Sequence, residues 1–552
     1  MKALNLRAIL ATSVIASLTS ALIVDKNVEQ LSSNENKYLK LDFASETFEK
    51  SSRLPLQKRD TYATVNISAE FYYVVQLSVG TPGQNVTLLV DTCSSDIWVT
   101  SPDNPLCDGD IFYDNVEKTA KHVVVAAAEE STVSDGDSNG LLDGEPVSTT
   151  PFESSVIYPA EGLVDCGFFG TFNPNDSSTW STNHTDFVIT YSDNSTAEGV
   201  WGQDVLSIGG LDISGVPFAV ANYTNSSLGV LGIGLPGSET TYLTNSYMYD
   251  NLPMVLKKSG VIDSAAYSLL LAAYNNYTSG LLFGAVDHSK YSGSLYTIPM
   301  INIYESRGYE SPVEFDVTIY GLGISSTDSN TTIATMKTPA LLDSGSTAIF
   351  FPTTLLNLAA EQLNATYSEE KGLYTIPYSP ANISFVFDFG GFHINLPIRE
   401  LCSVSYGEPE YILNIVAHNE NRIVLGEAFL ARAYVVFDFE NYEISMGQSS
   451  YDYAEEDIEA IISTVPGAVK VASYSNSWSS FGSITSGGDI FTISSNAGKA
   501  VVTPTQSTTR STQSAQSTTS STSKSNNFGY SGISYGSHLL LASAPFVLTY
   551  LL

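Results

Sequence analysis

The chain has 552 residues and carries 24 Lys+Arg against 58 Asp+Glu, a formal net charge of −34. Phosphate recognition needs clustered positive charge, and no Lys/Arg-rich run follows Asp60, so nucleic acid is excluded as a partner and basic or neutral partners are expected. With 43% hydrophobic, 11% aromatic and only 15% charged residues, the chain can bury a large core, which excludes global disorder.

The N-terminal residues 1–21 have Lys2 and Arg7, an apolar stretch over 8–16, then Thr19-Ser20-Ala21. That order is expected of a secretory signal, because the apolar run is too short to span a bilayer. Residues 22–59 follow as a polar segment without clear periodicity, closed by the dibasic pair Lys58-Arg59, and read as a propeptide with its processing site. From there strand signals dominate. Tyr72 to Val79 is β-branched and aromatic, and after the turn Gly80-Thr81-Pro82-Gly83 a second run covers 86–90. Similar runs occur at 187–191, 269–271, 281–283, 385–389 and 433–439. Helical periodicity is confined to 251–259 and 354–363. The pattern predicts an all-β architecture with a few short helices.

Residues 108–165 break this pattern with an acidic, turn-rich stretch that reads as a loop insertion. Cys107 and Cys166 bracket it, and of the three connectivities that four cysteines allow, the pair closing the insertion at its base is favoured. Within the insertion Gly136-Asp137-Ser138-Asn139-Gly140 fits a serine-hydrolase pattern, but no apolar strand precedes it and no helix follows, so it is set aside. Asn-X-Ser/Thr sequons occur at Asn66, Asn85, Asn175, Asn183, Asn194, Asn222, Asn225, Asn276, Asn330, Asn364 and Asn382, all between the processed ends, as expected of an exported glycoprotein. The six His residues show no metal-binding spacing, and neither a metal nor another cofactor is expected.

Two segments repeat one design: Leu88-Leu89-Val90-Asp91-Thr92-Cys93-Ser94-Ser95 and Ala340-Leu341-Leu342-Asp343-Ser344-Gly345-Ser346-Thr347. Each is an apolar strand that delivers an Asp into a turn of small hydroxyl residues. If the two face each other, two carboxylates about 3 Å apart cannot both ionise; one keeps its proton while the other acts as a base. Such a pair can activate water for attack on a peptide carbonyl without metal or covalent nucleophile. Ser94 and Ser346 are placed to bond the outer carboxylate oxygens, and Thr92 and Ser344 to tie the turns together.

The C-terminal end has three zones: a Ser/Thr-rich stalk over 503–527, a polar spacer, and an apolar tail that runs to Leu552 with no charge after it. The tail is too short to cross ~30 Å of hydrocarbon. This order is that of a removable signal (528–552) for a GPI lipid anchor, attached at Asn527, with Gly529 and Ser531 as alternatives.

These motifs resemble those of the pepsin-like aspartic proteases over about 72–448. The match rests on the two Asp turns, on Phe187 to Asp193 as the flap hairpin with Tyr191 as its tyrosine, and on Gly229-Val230-Leu231-Gly232 and Ile423-Val424-Leu425-Gly426 beneath the turns. The insertion, the stretch Phe283 to Tyr291 and the anchor signal together are most similar to fungal GPI-anchored yapsins. The resemblance implies a bilobal fold, with an N-terminal lobe over 60–290 that contains the insertion, a C-terminal lobe over 291–448 and an extension over 449–502. It implies Asp91 and Asp343 as the catalytic pair, Thr92, Ser94, Ser344, Gly345 and Ser346 as their support, and Tyr191 and Asp193 against substrate. Asp193 would contact a Lys or Arg, or be a solvated hairpin residue. The implied substrates are proproteins or cell-wall proteins cut beside basic residues, at the plasma membrane or linked to wall glucan. An acidic groove would concentrate such peptides.

The chain departs from the family pattern at Cys93, where the motif has Gly; a side chain there is expected to crowd the groove or strain the turn. That departure keeps two alternatives open, a catalytically impaired relative and a structural or adhesive wall glycoprotein. Cys402 resembles half of a C-lobe disulfide whose partner is missing, leaving a free thiol, an intermolecular partner or a bond to Cys93.

Overall fold

The computed structural model describes residues 37–44, 65–66, 73–107, 164, 166–191, 195–272, 278–369, 372–404, 410–451, 455–472, 474–475, 477–478 and 484–492. The expected signal peptide, Lys58-Arg59, the insertion interior with its serine pattern, Asp193, Asn194, Asn276, the stalk and Asn527 lie outside the described residues.

Strands dominate and helices are few and short, as expected of an all-β bilobal fold. A seven-stranded sheet forms the first lobe, in the order Val74–Val79, Gln84–Asp91, Gly229–Gly232, Ile97–Thr100, Leu211–Thr224, Thr196–Ile208 and Ser181–Thr190. The second lobe repeats its central arrangement, with Asp316–Ser326, Asn330–Leu342, Ile423–Leu425, Ile349–Pro352 and Ile415–His418 in that order. In each lobe the strand carrying the Asp turn forms an antiparallel hairpin with the strand before it and runs parallel to the strand that ends in Gly232 or precedes Gly426. Gly229–Gly232, Ile423–Leu425 and the end of Asn330–Leu342 that leads into Asp343 are buried on both faces, which is why they read as apolar runs. The outer hairpin of the first lobe instead alternates: Phe187 and Ile189 are buried, whereas Val188 is 52% exposed.

A third sheet joins the lobes. It contains Thr278–Phe283 and Ala266–Leu270 from the first lobe beside Ala433–Asp438, Glu443–Ser449 and Tyr291–Pro299 from the second. Val75, Val90, Tyr267, Phe315, Phe437 and Leu342 belong to one continuous apolar core that spans both lobes. This holds the two turns in fixed register.

Two segments are more ordered than their sequences suggest. Leu39–Ala44, inside the polar segment read as a propeptide, pairs along its whole length with Thr278–Phe283. Its alternation Leu39-Lys40-Leu41-Asp42-Phe43 is a short strand signal hidden by the polarity around it, and Leu39 and Leu41 are buried. Lys37 donates to Gly260 O at 3.1 Å, and Lys40 pairs with Glu456 of the C-terminal extension. The extension contributes strands Ile458–Ala460, Ala468–Lys470 and Thr485–Ser486, paired with Ala285–Asp287, Tyr291–Pro299 and Asn330–Leu342. It is therefore sewn onto the body.

The bond Cys107–Cys166 is present at the base of the insertion, with Cα atoms 5.4 Å apart. Cys93 and Cys402 are free thiols, which removes the proposed bond between them. Burial pushes the Cys402 thiol up to about 12.

Candidate active site

The strands Gln84–Asp91 and Asn330–Leu342 end at the lobe junction, where the two Asp turns meet. Four hydrogen bonds cross between them. Thr92 N–H donates to Ser344 Oγ at 3.1 Å, and Ser344 N–H donates to Thr92 Oγ1 at 2.9 Å. The hydroxyls pass on: Thr92 Oγ1 donates to Leu342 O at 2.9 Å and Ser344 Oγ to Val90 O at 2.8 Å. Thr92 and Ser344 are fully buried, so each hydroxyl satisfies backbone groups of the other lobe that water cannot reach.

This cross-brace sets Asp91 and Asp343 side by side, 5% and 9% exposed. Their surroundings differ. Asp91 accepts from Cys93 N at 2.8 Å through Oδ1 and from Ser94 Oγ at 2.5 Å through Oδ2. Asp343 accepts from Gly345 N at 2.9 Å. Burial raises the proton affinity of both carboxyls, offset at Asp91 by the donors of Ser94 and Cys93. Burial, together with the neighbouring Asp91 charge, pushes Asp343 up to about 8. A pair so placed keeps a proton on Asp343 at neutrality, with Asp91, the better supplied with donors, as base and Asp343 as acid.

Ser346 departs from expectation. Its hydroxyl donates to Ala348 O at 3.4 Å, and its carbonyl accepts from Glu427 N at 2.8 Å. A protonated Asp343 needs fewer donors than an ionised Asp91, which accounts for the unequal support. Gly232 and Gly426 lie against the turns: a Cβ on Gly232 would sit 2.4 Å from Asp96 O, and one on Gly426 2.2 Å from Ala348 O. That close approach explains the apolar-apolar-Gly segments.

Cys93 does not strain the turn. It has no positive φ, its N–H keeps the bond to Asp91, and the side chain is half-buried. Burial and the charge of Asp343 hold the thiol well above its ordinary pKa, so it is protonated. The equivalent Gly345 is needed for room alone, since a Cβ there would lie 2.7 Å from Asp91 Oδ1.

Above the pair, the hairpin Ser181–Thr190 and Thr196–Ile208 carries Tyr191 at its turn. Trp98 Nε1 donates to Tyr191 OH at 2.9 Å, which anchors the hairpin to the strand after the first turn. Three groups near the turns escaped the sequence reading. Asp96 accepts from Tyr249 OH at 2.7 Å and Thr240 N at 2.9 Å, and Glu239 accepts from Tyr249 N at 2.8 Å. Glu427 is buried beneath the second turn. Arg422 pairs with Glu314 and Asp316. The signal was present as Glu314-Phe315-Asp316, two charges on one face of an otherwise apolar strand, but charges at strand ends resemble turn residues.

Residues 72–449 match the family model described as eukaryotic aspartyl protease. Aspartic proteinase 3 of Saccharomyces cerevisiae is 40% identical over 525 residues, covering 90% of this chain and 92% of its own. Aspartic proteinase MKC7 of the same yeast is 42% identical over 519 residues, with 89% and 86% covered. Its aspartic proteinase yapsin-3 is 40% identical over 469 residues, with 83% and 82% covered.

Proposed function

The chain belongs to the eukaryotic aspartyl protease family and is a peptide hydrolase acting on peptides and proteins, and we propose that it cuts beside Lys and Arg at the cell surface. The observation that carries the chemistry is the cross-braced pair of buried carboxyls, alike in backbone and unlike in hydrogen bonding. Asp91, ionised and supported by Ser94 and Cys93 N, takes a proton from the attacking water. Asp343, still protonated, donates to the carbonyl oxygen, and the two exchange roles as the amine leaves. Tyr191, on the hairpin, closes over the substrate.

The basic preference is supported by a net charge of −34, which concentrates cationic peptide segments, and by the likeness to yapsin-3. Asp193, two residues after Tyr191 in the sequence, is the carboxylate we assign to such a side chain. Surface attachment is supported by the signal-like start and the GPI-type end, with Lys58-Arg59 as the propeptide processing site and Asn527 as the attachment residue. Among the described residues no helix is long and apolar enough to cross a membrane. Asn85, Asn175, Asn183, Asn222, Asn330, Asn364 and Asn382 are exposed and accessible to glycosylation.

The test is cleavage of peptides with single or paired Lys/Arg, beside matched peptides without them, by the processed ectodomain between pH 3 and 7. At least tenfold higher kcat/KM on the basic peptides is expected. Equal rates on both sets would refute the basic preference.

A further inference from the structure

Beneath the second Asp turn lies a buried cluster that the first turn lacks. Arg422 Nε donates to Asp316 Oδ1 at 2.9 Å and Nη2 to Asp316 Oδ2 at 2.6 Å, while Nη2 also bonds Glu314. Tyr304 OH completes the shell of Glu314 at 3.1 Å. The side chains of Glu314 and Asp316 are each 1% exposed and that of Arg422 12%.

Strand register places this cluster beside the candidate acid. Asp316 lies opposite Leu341, and Leu342 N–H donates to Phe315 O, so the chain at Glu314 runs alongside Asp343. On the other flank Ile423 lies opposite Ala340, and Asp343 N–H donates to Leu425 O at 3.2 Å. The cluster therefore clamps together the two strands that flank the one delivering Asp343. In the first lobe the same register puts Val74 opposite Leu89 and Gly229 opposite Leu88. The equivalents of Asp316 and Arg422 are thus Val74 and Leu228, both apolar.

Two carboxylates on one guanidinium leave a single net negative charge when both are ionised. At Asp343 the members oppose one another: the Arg422 guanidinium favours the ionised carboxylate, and the Glu314 carboxylate favours the protonated form. The other groups that face Asp343 are Asp91 and Cys93 from the first lobe and Glu427 from the helix Glu427–Leu430. Of these Asp91 acts in the same direction as Glu314, whereas Cys93 and Glu427 are held protonated by burial.

We propose that Glu314 and Asp316 are positioning residues that offset the Arg422 guanidinium, which would otherwise draw the shared proton off Asp343, and so keep activity toward neutral pH. The proposal rests on the reading of Asp343 as the catalytic acid. Burial raises the proton affinity of Asp316, and the Arg422 guanidinium bonded to both of its oxygens opposes that.

The experiment is kcat/KM against pH, from 3 to 8, for the processed wild type and the Glu314→Gln, Asp316→Asn and Asp343→Asn variants, with thermal melts as the check of folding. Glu314→Gln is expected to keep activity within about twofold at pH 4 and to move the alkaline limb down by about one pH unit. Asp316→Asn is expected to move it in the same direction and supplies the test should Glu314→Gln fail to fold. A folded variant whose limb stays in place overturns the proposal and leaves the cluster as a structural ion group. Activity retained by Asp343→Asn instead overturns the catalytic reading itself.

Discussion

The turns Asp91-Thr92-Cys93-Ser94 and Asp343-Ser344-Gly345-Ser346 share a backbone and a cross-brace but differ in what they offer their carboxyls. The first supplies Ser94 Oγ and Cys93 N to Asp91, over an apolar underside at Val74 and Leu228. The second supplies Gly345 N alone, over a buried guanidinium with two carboxylates. Near-symmetry of fold brings two acids together, and local asymmetry gives them different work. An acid and a base must differ in proton affinity, and two identical turns would leave the proton unassigned.

Removing either side of the comparison should have the largest effect. Asp91→Asn and Asp343→Asn each eliminate one partner, and kcat on a good peptide is expected to fall by at least about 10³-fold, since general acid/base catalysis is lost and the donor pattern inverted. Exchanging the residues that follow should expose the asymmetry of space. Gly345→Ala puts a Cβ 2.7 Å from Asp91 Oδ1 and is expected to cost about 10²-fold in kcat/KM by displacing a carboxylate. Cys93→Gly removes a half-buried side chain from an unstrained turn and is expected to change kcat/KM by less than about threefold. A large gain there would mean that the natural chain is impaired. Between these two, Tyr191→Phe removes the acceptor of Trp98 Nε1 and is expected to lower kcat/KM by about tenfold, the size of one lost hydrogen bond.

The smallest effect concerns stability. Glu239 is fully buried, and burial raises its pKa from 4.5 to about 9. Below pH 4.5 both folded and unfolded chains hold this proton, and it costs nothing. Between pH 4.5 and 9 only the unfolded chain releases it, so stability falls as pH rises through that window. Glu239→Gln is therefore expected to melt about 2–4 °C above the wild type at pH 7 and at the same temperature at pH 4. The same melting difference at both pH values would contradict this assignment.

Much of this was legible in the sequence because the turns are local. An apolar strand ending in Asp with hydroxyl residues after it announces itself, and the brace between Thr92 and Ser344 follows once two such turns face each other. The Trp98 to Tyr191 bond joins two motifs visible separately. Ser346 differs from its counterpart Ser94 in that its hydroxyl donates to the backbone carbonyl of Ala348, which the spacing of the motif does not reveal. At Cys93, rarity was mistaken for strain; the position tolerates a side chain at an ordinary φ, which only coordinates reveal. The Arg422 cluster was illegible for a different reason. Its members lie far apart in sequence, and each alone resembles a solvated end of a strand. The order in the extension escaped because short strands such as Ile458–Ala460 acquire their structure from the sheets they join.

The most direct measurement of the central claim is the affinity of a peptide analogue whose scissile amide is replaced by a hydroxyl-bearing tetrahedral carbon, titrated into the processed wild type and the Asp343→Asn variant at pH 6 and pH 10. With Asp343 at about 8, a pair sharing one proton predicts about 100-fold tighter binding by the wild type at pH 6 than at pH 10, and the loss of that dependence in the variant. Equal, pH-independent affinity in both proteins would contradict the account.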